Sequence, residues 1–290
     1  MNLDPRLNAW REDLADERLR DRVTAARYVA GQPAWVVANR TAVRASSTPR
    51  AETVSYCHYG EELRVFETAE NIAWCQSAFD GYVGYVDTFD IEPGPAPAPT
   101  HYVATIGAYT YDAPDLRSMV QGCLPRHSAV AVARTGLVTR GTEYAWINFA
   151  GHVPLACLSE QPPRSPDLAT AAALYLGCPY LWGGRSFFGI DCSGLVQSAF
   201  RDLGITVPRD TDMQQGTIGE LVSPGSQADL RRGDLLYLPG HVLIYAGNGA
   251  VIHADGASMT VRRDRLAGWL RARGLNLKNL TIRRHPLAAG

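Results

Sequence analysis

Two proline-rich stretches divide this 290-residue chain into three parts. They cover residues 93–99, where proline alternates with glycine or alanine, and residues 161–166. Proline lacks a backbone N–H and holds the chain extended, so neither stretch belongs inside a helix or a central strand. A length of about twice a typical domain agrees with several units. We therefore expect three domains, with residues 93–99 as an extended linker and residues 161–166 as the last boundary.

Residues 1–34 show a helical pattern. Leu14, Leu19, Val23 and Ala26 fall on roughly one stripe, charged residues occupy the other side, and a Gly-Gln-Pro sequence at residues 31–33 ends the pattern. We expect an N-terminal helical segment that serves packing rather than chemistry.

Residues 35–92 and 100–160 both consist of short β-forming runs separated by turn residues. In each, an apolar strand precedes a tryptophan and a glycine-containing strand follows it. Trp146 lies 72 positions after Trp74 in this ordered, weak repeat. We therefore predict two small all-β barrels with these tryptophans in their cores.

Residues 167–290 alternate helices with strands and contain a candidate nucleophile. Apolar residues recur at helical spacing from Cys192 onward, the pattern ends at Gly204, and Asp191 stands at the N-cap position. A cysteine in the first turn of a helix meets unpaired backbone N–H groups and the positive end of the helix dipole. We therefore predict a lowered pKa for the Cys192 thiol and N–H groups able to receive an oxyanion.

Two histidines on neighbouring predicted strands supply a candidate base and its partner. His241 opens one strand and His253 closes the next, with a Gly-Asn-Gly loop between the strands. A three-residue loop puts both rings on the same face, whereas a two-residue Asn-Gly turn puts them on opposite faces. Catalysis by this pair therefore requires an odd loop or a bulge. Asp255, on the same strand face as His253, is a rival for the third position.

Five motifs together resemble the NlpC/P60 cysteine peptidases over residues 167–285. They are Tyr180-x-Trp-Gly-Gly, Asp191-Cys-Ser-Gly, Arg231-x-Gly-Asp-Leu, Gly240-His-Val-x-Ile-Tyr and Ile252-His253. The resemblance implies an α+β fold, in which a papain-like catalytic domain at residues 167–290 follows the two small all-β barrels. It also implies that Cys192 is the nucleophile, His241 the general base and acid, and His253 the residue that orients His241.

The substrate residues are likewise implied by resemblance. Tyr180, Asp191, Ser193 and Asp210 correspond to positions that line the cleft of NlpC/P60 peptidases. The two all-β units resemble bacterial SH3 (SH3b) domains. The whole arrangement is similar to the γ-D-glutamyl-L-diamino acid endopeptidases of the YkfC type. These cleave peptidoglycan stem peptides that have a free N-terminal L-Ala. Tyr82, in a Gly-Tyr-x-Gly strand, matches the tyrosine that helps to fix the free amine in that group.

The charge and composition of the chain exclude several classes of binding partner. A net charge of −1 provides no field for gathering a polyanion, which argues against nucleic acid. No apolar run reaches the roughly 18 residues of a membrane span, and the first thirty residues lack a secretory core. Six cysteines without CxxC spacing favour reduced thiols over a zinc site.

We expect a cytoplasmic monomer without metal or cofactor that recycles cell-wall peptides. An exported hydrolase anchored to the wall by its SH3b domains and a non-catalytic binding protein remain as alternatives.

Overall fold

The computed structural model describes residues 3–48 and 50–288. The chain forms two compact units, Met1–Pro163 and Arg164–Gly290, each of which is described by itself. None of the helices in the described part of the chain is long and apolar enough to cross a membrane.

The N-terminal segment of the first unit is not a helix, so that prediction is wrong. Strand β1 (Leu14–Asp16) pairs in parallel with β2 (Arg27–Val29), and a 3₁₀ turn begins at Glu17. Leu14 is fully buried in a cluster with Phe66 and Trp74, whereas Ala26 on the same predicted stripe is exposed. Packing on the β-sheet therefore outweighs the helical pattern, because a short isolated helix is only marginally stable.

The first group of strands forms a seven-stranded sheet in the order β5-β4-β8-β7-β6-β3-β9, and its pairs are antiparallel. The strands are β3 (Gln32–Val36), β4 (Arg40–Arg44), β5 (Thr53–His58), β6 (Glu62–Ala69), β7 (Ile72–Ser77), β8 (Val83–Asp87) and β9 (Ile91–Pro93). Alternating residues such as Val43, Leu63 and Val86 fill the core of this sheet.

The second group of strands forms a three-stranded sheet, β13-β10-β17, and a five-stranded sheet, β12-β11-β16-β15-β14. The strands are β10 (His101–Val103), β11 (Gly107–Tyr111), β12 (Val120–Pro125), β13 (Ala129–Val130), β14 (Val132–Thr139), β15 (Thr142–Ile147), β16 (Gly151–Pro154) and β17 (Leu158–Ser159). The predicted repeat is visible in the hairpins that carry the tryptophans. In each hairpin a strand of eight residues precedes a strand of six. Trp74 is buried as predicted, whereas Trp146 is half-buried.

The two groups share a core, which explains why they form one unit rather than two. Trp35 and Tyr59 from the first group cluster with Val103, Leu124 and Ile147 from the second. The Tyr59 hydroxyl also donates to the backbone carbonyl of residue 148 at 2.7 Å. The predicted linker at residues 93–99 begins within β9 and then has no regular structure, and Ala96 packs against the shared core.

The second unit is built on a six-stranded antiparallel sheet in the order β20-β25-β21-β22-β23-β24. Its sheet strands are β20 (Glu220–Val222), β21 (Leu235–Leu238), β22 (His241–Gly247), β23 (Ala250–Asp255), β24 (Thr260–Arg265) and β25 (Thr281–Arg284). A small hairpin consists of β18 (Arg185–Ser186) and β19 (Gly189–Ile190). The helices are α1 (Leu168–Ala173), α2 (Cys192–Asp202), α3 (Thr211–Thr217) and α4 (Leu266–Ala272). Helix α2 contacts α1, β22 and β23, so its N-terminus lies beside the central hairpin of the sheet.

Candidate active site

Cys192 is the first residue of α2, as predicted. The Asp191 carboxylate accepts the backbone N–H of Gly194 at 2.7 Å, and Gly204 follows the helix end with φ of +78°. Only glycine fits at 194, because a Cβ there would lie 2.0 Å from the carbonyl oxygen of Gly184. The two glycine-containing motifs of the sequence therefore pack directly against each other and hold the start of α2 in place.

A buried ion pair anchors this helix start. The Arg209 guanidinium, 1% exposed, lies 2.5 Å from Asp191 Oδ2 and 3.0 Å from Oδ1. The same carboxylate accepts hydrogen bonds from the backbone N–H groups of Gly183 and Gly194 and from the Ser193 hydroxyl. Asp191 thus accepts five hydrogen bonds within the protein. The sequence pointed to the next residue, Asp210, but Arg209 was not identified as the partner of Asp191.

The β22–β23 hairpin brings the two histidines together. Its turn is a two-residue Asn-Gly turn, but the register shifts by one residue between Tyr245 and Gly247. This bulge restores the same-face arrangement that the sequence analysis required. His241 Nε2 lies 2.9 Å from His253 Nδ1, so the predicted pairing of the rings is confirmed. Asp255, the rival third residue, instead accepts the backbone N–H groups of residues 257 and 258.

The thiol lies against the start of β22, where its neighbours are the backbone groups of the two residues that flank His241. Cys192 Sγ is 4.0 Å from the carbonyl oxygen of Gly240, and the backbone N–H of Val242 is near enough to stabilise the thiolate. A nucleophile and an imidazole that is held by a second polar group form the arrangement needed for covalent catalysis.

The hydrogen-bonded chain continues beyond the predicted residues. His253 is fully buried, and its Nε2 lies 3.1 Å from Asp264 Oδ2. Arg262 donates to the other carboxylate oxygen, at 3.0 Å from Nε and 2.8 Å from Nη2. Asp264 was missed because β24 was not predicted from the sequence. The pairing of β23 with β24, which places Arg262 opposite His253, is the feature that brings Asp264 to this histidine.

Trp269 of α4 packs against both histidine rings. Its ring is nearly parallel to that of His241, with 6.0 Å between centroids, and meets the His253 ring edge-on at 5.8 Å. The Arg273 guanidinium covers the Trp269 ring at 4.1 Å. The indole therefore covers part of both imidazole rings. Trp269 was not predicted from the sequence to belong to the site.

Burial controls the protonation of the site. It raises the pKa of the Cys192 thiol to about 11, and the negative charge of Asp191 adds to the shift. Burial also lowers the pKa of His241 to about 4, and the neighbouring His253 ring adds to that shift. The predicted lowering of the thiol pKa is therefore wrong, because burial outweighs the backbone N–H groups of the helix start. At neutral pH the free site holds a neutral thiol and a neutral imidazole.

This protonation state predicts how the thiol reacts. We expect iodoacetamide to modify Cys192 slowly at pH 7 and progressively faster as the pH approaches about 11, the pKa of the thiol. Peptide mapping by mass spectrometry measures the rate, with the half-buried Cys157 as a reference within the same molecule. Rapid labelling of Cys192 that does not change between about pH 5 and pH 7 would contradict this account and indicate a preformed thiolate.

The predicted substrate residues lie in both units. Tyr180 is half-buried, and its pKa is raised to about 12 by burial and by the charges of Cys192 and Asp191, so its hydroxyl remains a donor. Asp210 stands at the N-cap position of α3, but its side chain makes no capping hydrogen bond. Tyr82 belongs to the first unit, where it is buried. The substrate-binding roles of these residues, and of Ser193, stay predictions.

Comparison with protein families identifies parts of both units. Residues 177–273 match the NlpC/P60 family, and residues 43–91 match the bacterial dipeptidyl-peptidase Sh3 domain. The second unit contains an NlpC/P60 domain. The Sh3 match lies within the first predicted all-β unit, residues 35–92. The assignment of residues 100–160 to a second SH3b domain stays a prediction.

The curated relatives that this chain matches are peptidases by name. The chain is 36% identical over 107 residues to the γ-D-glutamyl-L-lysine dipeptidyl-peptidase of Bacillus cereus, a match that covers 34% of this chain and 31% of that protein. It is 39% identical over 116 residues to the peptidoglycan endopeptidase RipB of Mycobacterium tuberculosis, which covers 33% of this chain and 46% of that protein. The matches therefore span 31% and 46% of the lengths of these two relatives.

A solved structure extends the likeness beyond the NlpC/P60 domain. An NlpC/P60 family protein from Bacillus cereus aligns with 87% of this chain and 99% of its own, with a TM-score of 0.68 and 18% sequence identity. At that identity the likeness concerns the fold alone. It confirms the predicted α+β class, in which an NlpC/P60 catalytic fold follows an SH3-type β domain.

Proposed function

We propose that the protein is a cysteine peptidase that hydrolyses peptides derived from peptidoglycan. The observation that carries this proposal is the Cys192 thiol at the start of α2, which lies against the backbone of Gly240, the residue before His241, while His241 is hydrogen-bonded to His253. The names of the relatives support the same reaction class and the same general substrate.

In the mechanism we propose, His241 moves the proton and Cys192 makes the covalent bond. As Sγ attacks the carbonyl carbon, the thiol proton passes to His241 Nδ1, because Nε2 is held by His253. The carbonyl oxygen becomes an oxyanion, for which the backbone N–H groups of Cys192 and Ser193 at the start of α2 and the Tyr180 hydroxyl are the proposed donors.

Collapse of this intermediate breaks the C–N bond. His241 gives its proton to the leaving amine, and a thioester to Cys192 remains. Water then attacks the thioester and loses a proton to His241, and the proton returns to Sγ when the C–S bond breaks. The neutral state of the Cys192 thiol and the His241 imidazole suits this series of steps, because the first step needs an imidazole that can accept a proton.

The finer substrate assignment is part of the proposal. We propose cleavage of the bond between the γ-carboxyl of D-Glu and the diamino acid in stem peptides that begin with a free L-Ala. The name of the Bacillus cereus relative supports a γ-D-glutamyl bond. Tyr180, Asp191, Ser193 and Asp210 are the proposed substrate contacts in the second unit, and Tyr82 is the proposed contact of the free amine. Any contact to Asp191 has to share oxygens that already accept five hydrogen bonds.

The proposed setting is the recycling of cell-wall peptides in the cytoplasm. Support comes from the six cysteines, all of which are free thiols, as in a reducing compartment. A requirement for a free N-terminal amine also suits released peptide fragments, whose L-Ala is no longer attached to a glycan strand.

The amine requirement gives a sharp test. The wild-type protein is incubated with L-Ala-γ-D-Glu-diaminopimelate and with the same peptide acetylated at its N-terminus, and the products are separated and quantified. We expect kcat/KM for the acetylated peptide to be lower by about 10²-fold or more, because a site built for a charged amine leaves its polar groups unpaired when the amine is blocked. Equal cleavage of both peptides, together with binding to insoluble peptidoglycan, would instead favour an exported wall hydrolase.

A further inference from the structure

His253 uses both ring nitrogens in hydrogen bonds, and this determines where the protons lie. Its Nδ1 faces His241 Nε2 at 2.9 Å, and its Nε2 faces Asp264 Oδ2 at 3.1 Å. A carboxylate only accepts hydrogen bonds, so Nε2 of His253 carries the proton. In a neutral imidazole the other nitrogen then accepts, so His241 Nε2 is the donor. The lone pair of His241 is thereby left on Nδ1, the atom that must take the thiol proton.

We propose that Asp264 is a positioning residue that sets the tautomer of His241 through His253. This inference rests on the proposed function for its catalytic consequence, but the tautomer itself is a property of the resting protein. Without the carboxylate, nothing would prevent His253 from donating through Nδ1. His241 would then carry its proton on Nδ1 and could not act as the base.

Arg262 holds Asp264 in the required orientation. Both side chains lie on the same face of β24, two residues apart, and Arg262 donates twice to Oδ1. Oδ2 is therefore left for His253. Because Val251 pairs with Asp264 and His253 with Arg262, the histidine and the aspartate are diagonal neighbours across the strand pair. The strand register, rather than a flexible loop, thus sets the contact.

Asp255 is a second carboxylate near the same histidine but does not make this bond. It lies on β23, the strand of His253, and its oxygens accept the backbone N–H groups of Ala257 and Ser258. Its nearest ion-pair distance is 3.6 Å, to Arg273. Asp255 and Asp264 therefore carry the same charge near His253. Only Asp264 accepts a hydrogen bond from the ring, and this bond determines which ring nitrogen is protonated. This difference makes Asp255 the matched control.

The experiment compares the full-length wild type with Asp264→Asn and Asp255→Asn. Nitrogen NMR of protein labelled with ¹⁵N-histidine reports which ring nitrogen of each histidine is protonated, and His253→Asn assists the assignment. In the wild type we expect the proton on Nε2 of both His241 and His253. In Asp264→Asn the amide can donate or accept, so we expect His241 to populate both tautomers. Asp255→Asn should leave the wild-type pattern unchanged.

Kinetics on the stem peptide supply the second readout. We expect Asp264→Asn to lower kcat by about 10²-fold with KM within about threefold, a smaller loss than the roughly 10⁴-fold loss when a directly bonded aspartate is neutralised. Asp255→Asn should change kcat by less than about threefold. Equal losses in the two variants would overturn the proposal, because they would reflect charge alone. A wild-type His241 protonated on Nδ1 would also overturn it, even if Asp264→Asn does not fold.

These experiments distinguish a failure of the proposed peptidase function from a failure of the proposed role of Asp264. A wild type with the expected tautomers that cleaves no peptide would contradict the peptidase assignment while supporting the role of Asp264 in the resting site. Cleavage of the peptide by the wild type, together with no tautomer change in Asp264→Asn, would support the peptidase assignment and contradict the role of Asp264.

Discussion

Cys192→Ala is expected to lower kcat for stem-peptide hydrolysis by at least about 10⁴-fold, because no thioester can form without the nucleophile. The rest of the site does not depend on Sγ, since the histidine pair and the Asp191 ion pair make their hydrogen bonds elsewhere. The variant should therefore fold like the wild type and bind the peptide with similar affinity. Steady-state kinetics by product quantification and calorimetric titration of the peptide measure the two quantities.

The matched control is Cys178→Ala, the same substitution at a half-buried cysteine of the same unit. We expect its kcat to stay within about threefold of the wild type. Residual hydrolysis by Cys192→Ala within tenfold of the wild-type rate would contradict the assignment of the nucleophile, whatever the control shows.

Arg209→Met is expected to produce the largest loss of stability. The substitution keeps much of the side-chain volume but removes the partner of a buried carboxylate, which leaves Asp191 charged, buried and unpaired. Breaking a buried pair in this way costs about 3–5 kcal/mol of unfolding free energy. The loss should appear in urea denaturation and, locally, as faster amide hydrogen exchange along α2, whose N-cap is Asp191.

A more exposed ion pair of the same unit provides the comparison. Arg232 lies 2.9 Å from Asp167, and the two side chains are 37% and 13% exposed, so Arg232→Met should cost less unfolding free energy than Arg209→Met. The double variant Asp191→Asn with Arg209→Met should recover part of the loss, because it no longer buries a lone charge. Equal, small losses in Arg209→Met and Arg232→Met would mean that the buried pair does not anchor the start of α2.

The sequence was sufficient for the centre of the site because its signals are local. The helix from Cys192, its N-cap and its C-terminal glycine are all encoded within fourteen consecutive positions, from Asp191 to Gly204. The spacing of His241 and His253 also allowed a conditional prediction, since alternation along strands requires an odd loop or a bulge for the two rings to meet. The bulge between Tyr245 and Gly247 satisfies that condition.

The residues that could not be predicted from the sequence depend on tertiary contacts. Asp264 reaches His253 only through the pairing of β24 with β23, and Arg209 reaches Asp191 from a separate segment 18 positions away. At the N-terminus, the burial of Leu14 beside Trp74 replaces the predicted helix with strands. The shift of the thiol pKa was misjudged for the same reason, because the extent of burial is a property of the folded unit.

The most direct test of the central claim is the mass spectrum of the products that the wild-type protein forms from L-Ala-γ-D-Glu-diaminopimelate, with Cys192→Ala as the blank. The account predicts L-Ala-D-Glu and free diaminopimelate from the wild type and intact peptide from the variant. Release of free L-Ala, or intact peptide with the wild type under conditions where the folded protein is verified, would contradict it.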